Sequence, residues 1–448
     1  MNNNLENIKN IYFIGIGGIG MSALARYFKF LGKNVAGYDK TPTQITLDLS
    51  ELGIDIHFED DINAIPDQFL NKEESVVVYT PAIPKGHKEF EYFQNNGFTI
   101  KKRAEVLGII TKNVYTLAVA GTHGKTTTTA ILAHLLKESG AKVTAFLGGI
   151  SENYNSNLIL EGNEVVVVEA DEFDRSFLQL YPDIVAITSM DADHLDIYEK
   201  ANALEDSFVE FSSRAKDHLL VRNGLPLSGI TFGIEDSSDY CAKNIRIDNG
   251  TYVFDLKTPG KLIKDLRVNL PGRHNLLNVV TAFAIALLYG SPTGSLAKAL
   301  FSFKGVQRRF SYQIKTDDLV YIDDYAHHPT EINALHQAVR EMHPGKNVLA
   351  IFQPHLFSRT RDFASDFAKS LSQFDQLLLL DIYPARELPI EGITSSWLLE
   401  MIDNTNKKIT FKDKLIKEIT DSGAQVVLTI GAGDIGEEVG RIKEALLV

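Results

Sequence analysis

Twice in this chain a short apolar run passes through a glycine turn into an amphipathic stretch, and this pairing constrains the fold more than any other feature. The first is Ile11 to Ile14, then Gly15-Ile-Gly17-Gly18-Ile-Gly20, then a stripe from Met21 to Leu31. The second is Tyr115 to Ala120, then Gly121-Thr-His-Gly124-Lys125-Thr126, then Thr126 to Ser139. Strand, tight turn and helix in that order make the opening unit of a parallel α/β sheet. The alternation continues for most of the chain. Strands are expected at Asn34 to Tyr38, Asp55 to Phe58, Ser75 to Tyr79, Val143 to Leu147, Val165 to Glu169 and Ile184 to Thr188. Later ones fall at Leu319 to Ile322, Val348 to Phe352, Leu377 to Leu380 and Val426 to Ile430, with helices after Pro329 and around Arg361 to Phe374.

Between Leu225 and Leu270 the helical period fades. There Asp248-Asn-Gly-Thr251 is a tight-hairpin signal, which predicts a small antiparallel insertion. The 448 residues suffice for two to four domains at roughly 150 residues each. The expectation is an α/β protein of three domains. These are a Rossmann-like N-terminal domain (1–103), a central P-loop ATPase-type domain carrying the insertion (104–310) and a C-terminal Rossmann-like domain (311–448).

Charge and cysteine usage exclude several classes. With 58 acidic against 45 basic residues the net charge is −13, so the chain lacks the positive field that draws in nucleic acid. The one cysteine, Cys241, supports neither an intrachain disulfide nor a Cys/His zinc site. The N-terminal MNNNLENIKN has no signal-peptide pattern, and no apolar run approaches a membrane span, so a cytoplasmic location without membrane attachment is expected.

The two glycine turns suit different phosphates. GxGxxG between strand and helix lets backbone amides approach a diphosphate, and Asp39, nineteen residues beyond Gly20, is placed to take ribose hydroxyls. The alternative is a tight turn without a ligand. The second turn departs from the usual P-loop spacing, since Val119 occupies the place of the first glycine. Its working parts remain: amides around Gly124, Lys125 for β and γ charge, and the Thr126 hydroxyl for Mg²⁺. A lysine in the first turn opposes the helix dipole unless an anion is bound, so ATP or a similar triphosphate is expected. Glu169-Ala-Asp171-Glu172 and Asp191-Ala-Asp-His194-Leu-Asp196 end the next two strands, where hard carboxylates and an imidazole can complete a Mg²⁺ shell. Solvated loop carboxylates are the bland alternative.

In these stretches the chain closely resembles the Mur ligases, and within them the alanine-adding branch. The match adds His274-Asn275-Leu-Leu-Asn278, Arg308-Arg309-Phe310, Asp323-Asp-Tyr-Ala-His-His-Pro329 and Phe352-Gln-Pro-His355 with Ser358-Arg359-Thr360, collinear from residue 11 to about 435. The resemblance implies an ATP-dependent ligase of peptidoglycan precursor synthesis, and so of cell-wall biogenesis, cell shape and division. It would join L-alanine to the lactyl carboxylate of UDP-N-acetylmuramate through an acyl phosphate, acting as a monomer or homodimer.

It further implies that Gly15, Gly17, Gly18, Ile19, Gly20, Met21 and Ser22 hold the UDP diphosphate. Gly121, Thr122, Gly124, Lys125, Thr126 and Thr127 would hold ATP, with Thr126, Glu172 and His194 on Mg²⁺ and His123 near the reacting carboxylate. Asn275 and Asn278 would read adenine, although HNxxN can equally cap the helix that follows. Arg309 would face the γ-phosphate and Asp324 the ATP ribose. Tyr325, His327 and Arg359 would shape the amino-acid pocket, His327 also standing near the amine proton. On composition alone His327-His328-Pro329 reads as a metal pair or a helix start. Leu356 stands where some relatives carry a basic residue, which leaves the carboxylate clamp to Arg359. The helix after Asp193-His194 has no lysine between Lys200 and Lys216, which fits the branch without a carbamylated lysine.

Three rivals make different demands. A murein-recycling ligase would add a tripeptide to the same sugar, but its relatives usually carry a cysteine in the first turn, where this chain has Gly17-Gly18. A non-catalytic UDP-sugar or ATP sensor would bind both nucleotides without turnover. A nicotinamide oxidoreductase would leave the second turn without purpose.

Overall fold

The computed structural model describes residues 5, 7–81, 83–191, 201–248, 250–385 and 387–447, and all counts below refer to these. The chain forms two compact units. One holds residues 1–243, 255–266 and 278–303, the other 244–254, 267–277 and 304–448.

The first unit opens with a parallel sheet of β1 (Asn10–Ile14), β2 (Asn34–Tyr38), β3 (Asp55–His57), β4 (Ser75–Tyr79) and β5 (Thr99–Lys102), in the order β3-β2-β1-β4-β5. Helices α1 (Ile19–Phe30), α2 (Gln44–Glu51) and α3 (Lys88–Asn95) lie between these strands, and α4 (Arg103–Thr111) follows β5. All five residues of β1 are buried, which is why it carries the apolar run Ile11 to Ile14.

A larger sheet follows, built from β6 (Tyr115–Ala120), β7 (Val143–Ser151), β8 (Ser156–Leu160), β9 (Val165–Ala170), β10 (Ile184–Ile187), β11 (His218–Arg222), β12 (Ile230–Ile234), β13 (Tyr240–Asp248), β14 (Thr251–Lys257) and β15 (Leu262–Val268). Its order is β15-β14-β13-β12-β11-β10-β6-β9-β7-β8. The helices are α5 (Lys125–Glu138), α6 (Ala201–Ser212), α7 (Arg273–Leu288) and α8 (Thr293–Ser302). The expected small antiparallel insertion is present as β13, β14 and β15, and it prolongs this sheet. β12 pairs parallel with both β11 and β13, so the chain reaches the insertion without a hairpin between these strands. A five-residue arch at 235–239, with Glu235 at φ 54, returns the chain in the same direction. The alternating pattern specifies strands and leaves their direction open, so the arch escaped the reading.

One apolar core joins the two sheets of this unit. Phe13, Met21 and Leu24 of the first sheet's layer cluster with Phe146, Leu158 and Val168 of the second. Asn157 on β8 adds a polar tie, donating from Nδ2 to Ile19 O at 2.6 Å and to Ser22 Oγ at 2.8 Å.

The second unit carries β16 (Ser311–Lys315), β17 (Val320–Asp324), β18 (Val348–Phe352), β19 (Gln376–Leu379), β20 (Lys407–Ile409) and β21 (Val426–Ile430), in the order β16-β17-β21-β18-β19-β20. Only β16 is antiparallel to its neighbour. Its helices are α9 (Pro329–Met342), α10 (Phe357–Asp362), α11 (Ala364–Leu371), α12 (Ser395–Met401), α13 (Leu415–Ser422) and α14 (Glu438–Leu446). The single helix expected around Arg361 to Phe374 is two, broken at Phe363, which caps α10 and starts α11 at φ −112. No helix among the described residues is long and apolar enough to cross a membrane.

The helix of the second glycine turn is pinned by a buried histidine. His134 of α5 meets Tyr154 OH through Nδ1 at 2.6 Å and both Ala299 O and Ser302 Oγ through Nε2 at 3.0 Å. Burial holds its pKa below the ordinary range, against the pull of the Ala299 carbonyl. A histidine of depressed pKa contributes stability above its unfolded value of about 6.5 that is lost as pH falls below it. His134→Gln should therefore lower stability by about 2 kcal/mol at pH 7.5. The gap to wild type should narrow toward pH 5.5, read as urea midpoints at the two pH values.

Candidate nucleotide-binding site

The glycine turns both lie at carboxyl ends of parallel strands in the first unit, where open α/β sheets bind ligands. In the first, Gly17 N–H donates to Asp39 Oδ2 at 2.7 Å and Thr41 N–H to Oδ1 at 3.2 Å. Asp39 thus braces the turn in this structure. Gly18 caps α1 with no side-chain bond, and the first turn of α1 holds no acid, so nothing on the helix competes with an anion there. Ser22 is fully buried, its hydroxyl donating to Ile19 O at 3.0 Å, and lies beneath the cradle.

Above that turn is a cavity of about 270 Å³. Its lining includes Gly18, Ile19, Gly20 and Met21 together with Gly148, Glu169 and Asp171. The cavity thus meets both the first glycine turn and the acids at the carboxyl end of β9. Gly15, Gly17 and Ser22 do not line it.

The second turn is built around Lys125. Gly124 sits at φ 80, the left-handed region, and a Cβ there would collide with Asn278 Oδ1. Only glycine meets both demands. Lys125 Nζ donates to Gly121 O at 2.6 Å and to Glu172 Oε1 at 2.9 Å, with Glu172 Oε2 also at 2.9 Å. Burial opposes this charge, but Glu172, then Asp171 and Glu169, outweigh it and raise the lysine pKa above its ordinary value. Lys125 is therefore a fixed cation. Thr126 and Thr127 follow, nearly buried, in the first turn of α5.

Two residues that the sequence reading did not single out shape this turn. Ser189 Oγ accepts from His123 N–H at 2.8 Å and lies 2.9 Å from Thr122 Oγ1. The Thr188 hydroxyl donates to His123 O at 2.6 Å. Both follow β10, and no motif marks them, because their partners are backbone atoms 65 and 66 residues away in sequence. His123 Nε2 lies 3.4 Å from Asp191 Oδ2. His194, expected as a metal ligand, lies outside the described residues, as do Asp193 and Asp196. Among the described residues no group of three or more His, Cys, Asp or Glu side chains is gathered as a metal cage.

In the second unit Asn275 is buried on the first turn of α7, where Nδ2 donates to Pro271 O at 2.7 Å. Arg309 lies over the Tyr325 ring, 5.1 Å from its centroid, with Glu331 Oε1 at 3.9 Å. Asp324 takes two amides, Phe310 N–H at 2.7 Å and Ala326 N–H at 2.8 Å. Burial pushes its pKa up to about 6 against the opposing pull of Arg309. His328 and Glu331 form a capping box with Pro329 at the first turn of α9, so this pair of histidines begins a helix. His327, Tyr325, His355, Tyr383 and Arg359 gather beside it. The His327 and His355 rings are 6.0 Å apart, His355 stacks on Tyr383 at 5.7 Å, and Arg359 Nη1 lies 3.5 Å from His355 Nδ1. Ser358 N–H and Oγ both bond Glu387, which fixes the start of α10 and so the arm of Arg359.

A lysine-bearing glycine turn at the head of a buried helix, with carboxylates after the adjacent strand, defines a nucleotide-binding α/β protein of the P-loop kind. The chain belongs to the Mur ligase family. Three family models match it in order: the Mur ligase family catalytic domain over residues 10–115, the Mur ligase middle domain over 119–286 and the Mur ligase glutamate ligase domain over 308–433. The UDP-N-acetylmuramate--L-alanine ligase of Flavobacterium psychrophilum is 65% identical over 445 residues, 99% of each chain. That of Christiangramia forsetii is 64% identical over 446 residues, again 99% of each. Among solved structures, the UDP-N-acetylmuramate-alanine ligase of Thermotoga maritima superposes with a TM-score of 0.84 at 29% identity, covering 98% of this chain and 99% of that one.

Ser189→Ala removes the acceptor of His123 N–H and a partner of Thr122 without touching the helix. It should weaken ATP binding by about 5- to 30-fold, the worth of one to two hydrogen bonds, with UDP binding unchanged, as read by calorimetry.

Proposed function

We propose that this chain joins L-alanine to the lactyl carboxylate of UDP-N-acetylmuramate at the expense of ATP. The observation that carries the reading is that one cavity meets both the Gly18–Met21 turn and Glu169 and Asp171. Glu172, next after Asp171 in the chain, holds Lys125 of the second turn. A substrate held by its diphosphate at one end presents its acid group to a triphosphate site at the other. Whole-length identity of 65% to a ligase of that name supports the same conclusion.

The chemistry demands such a layout. A carboxylate does not accept an amine, because its oxygen is a poor leaving group. Attack of the carboxylate on the γ-phosphorus of ATP forms a C–O–P bond and releases ADP, giving an acyl phosphate. The amine of L-alanine then adds to the acyl carbon, and the tetrahedral intermediate expels inorganic phosphate as the amide forms. Lys125 holds charge on the transferring phosphoryl group, and the amides about Gly124 cradle its oxygens. The arrangement of Lys125, held between Gly121 O and Glu172, keeps that cation in place before ATP arrives. The hard oxygen donors here, the Thr126 hydroxyl and the Glu172 carboxylate, suit Mg²⁺, with His194 as a further ligand. When bound, the ion neutralises phosphate charge. Asn278, beside Gly124, and Asn275 serve adenine, Asp324 the ribose, and Arg309 the γ-phosphate. Arg359 pairs with the alanine carboxylate as a planar guanidinium can, while His327, Tyr325, His355 and Tyr383 shape the pocket around its side chain. We place the protein in the cytoplasm, where these nucleotide substrates are made, as an enzyme of peptidoglycan precursor synthesis. The working domains are residues 1–103, 104–310 and 311–448.

Phosphate release should require ATP, UDP-N-acetylmuramate and L-alanine together, and replacing alanine by a murein tripeptide should abolish it. Release with the tripeptide in place of alanine would overturn the assignment. Lys125→Ala should reduce turnover by at least about 10³-fold while leaving the dissociation constant for UDP-N-acetylmuramate within about twofold, measured by calorimetry. Equal loss of both would contradict two separate phosphate sites.

A further inference from the structure

We infer that Arg103, which belongs to none of the motifs above, is the cation of the first cradle and binds the diphosphate of the UDP-sugar. This rests on reading the Gly15–Gly20 turn as the diphosphate site. Arg103 is the first residue of α4, yet its guanidinium reaches back over the start of α1. A Cβ built on Gly20 would stand 2.6 Å from Nη1 and 3.1 Å from Cδ. The last glycine of the turn therefore makes room for this side chain. Among the described residues that line the cavity, Arg103 is the only Lys, Arg or His.

The charge pattern explains why a cation is needed. The chain carries −13 overall, and Glu169 and Asp171 line the same cavity. A helix N-terminus supplies about half a positive charge, too little for a diphosphate facing two acids. The second cradle solves the same problem with Lys125. In the first, no lysine follows the glycines, and the charge comes from a separate helix through space. Arg103 is not otherwise consumed. Among the described residues its ion pair, Nη2 to Asp171 Oδ2, is 3.5 Å long between partly exposed groups, and such pairs are weak. A planar fork also suits two neighbouring phosphoryl oxygens better than an ammonium does. Nη1, against Gly20 at the start of α1, is the arm placed for the diphosphate, and the lactyl carboxylate must lie toward Lys125.

The test compares UDP with uridine, using ligand-observed NMR that reads millimolar affinities, on full-length wild type, Arg103→Gln and Arg103→Lys. Arg103→Gln should weaken UDP by about 10- to 100-fold, leave uridine and ATP unchanged, and Arg103→Lys should recover part of the loss. Unchanged UDP affinity in Arg103→Gln overturns the inference. So does an equal loss of uridine affinity, which marks a structural role. If wild type binds uridine and UDP equally, the diphosphate reading of the turn itself fails, and the inference with it.

Discussion

A lysine withdrawn from water must be compensated, and the Lys125–Glu172 contact is the compensation on which this structure turns. Breaking such a pair by removing one partner costs several kcal/mol, because the other charge is left stranded. The contact also fixes geometry. Glu172 follows β9, Lys125 opens α5 after β6, and β6 and β9 are neighbours in the sheet. The ion pair thus ties the helix that carries the triphosphate turn to the strand that delivers the acids. Thr188 and Ser189, after β10 on the other side of β6, hold the loop from the opposite edge.

The same topological rule recurs in every sheet. In the first, Gly15 follows β1, Asp39 follows β2 and Thr80 follows β4, three adjacent carboxyl ends. In the last, Asp324 ends β17, Gln353 follows β18 and Gly431 follows β21, which lies between them. Parallel strands that diverge around a switch point open a crevice at their carboxyl ends. The strand order alone therefore says where each site must be, and the residue types say which ligand group each can hold.

Much of this was legible in the chain. The strands at Asn34–Tyr38, Ser75–Tyr79, Tyr115–Ala120, Val348–Phe352 and Val426–Ile430 stand at the residues their apolar runs mark, since strands covered on both faces carry no polar alternation to blur their ends. Local signals failed where the deciding partner was distant. The β12 to β13 arch keeps a parallel direction that alternation cannot encode, and the helix expected from Arg361 to Phe374 breaks at Phe363. Arg103, Asn157, Thr188 and Ser189 belong to no motif, because each acts on a segment more than sixty residues away.

The amino-acid sequence by itself determined the alternating α/β plan, the two glycine turns, the fixed cation at Lys125 and the membership of the Mur ligases, because each is written in residues close along the chain or in their collinear order. Only the tertiary structure decided that the first turn and the acids at the end of β9 line one cavity, that Asp39 and Ser22 brace the cradle, and that Arg103 leans over Gly20. Those outcomes depend on how sheets and helices pack. Packing is settled by the summed burial of many side chains, and no short stretch of sequence carries that sum.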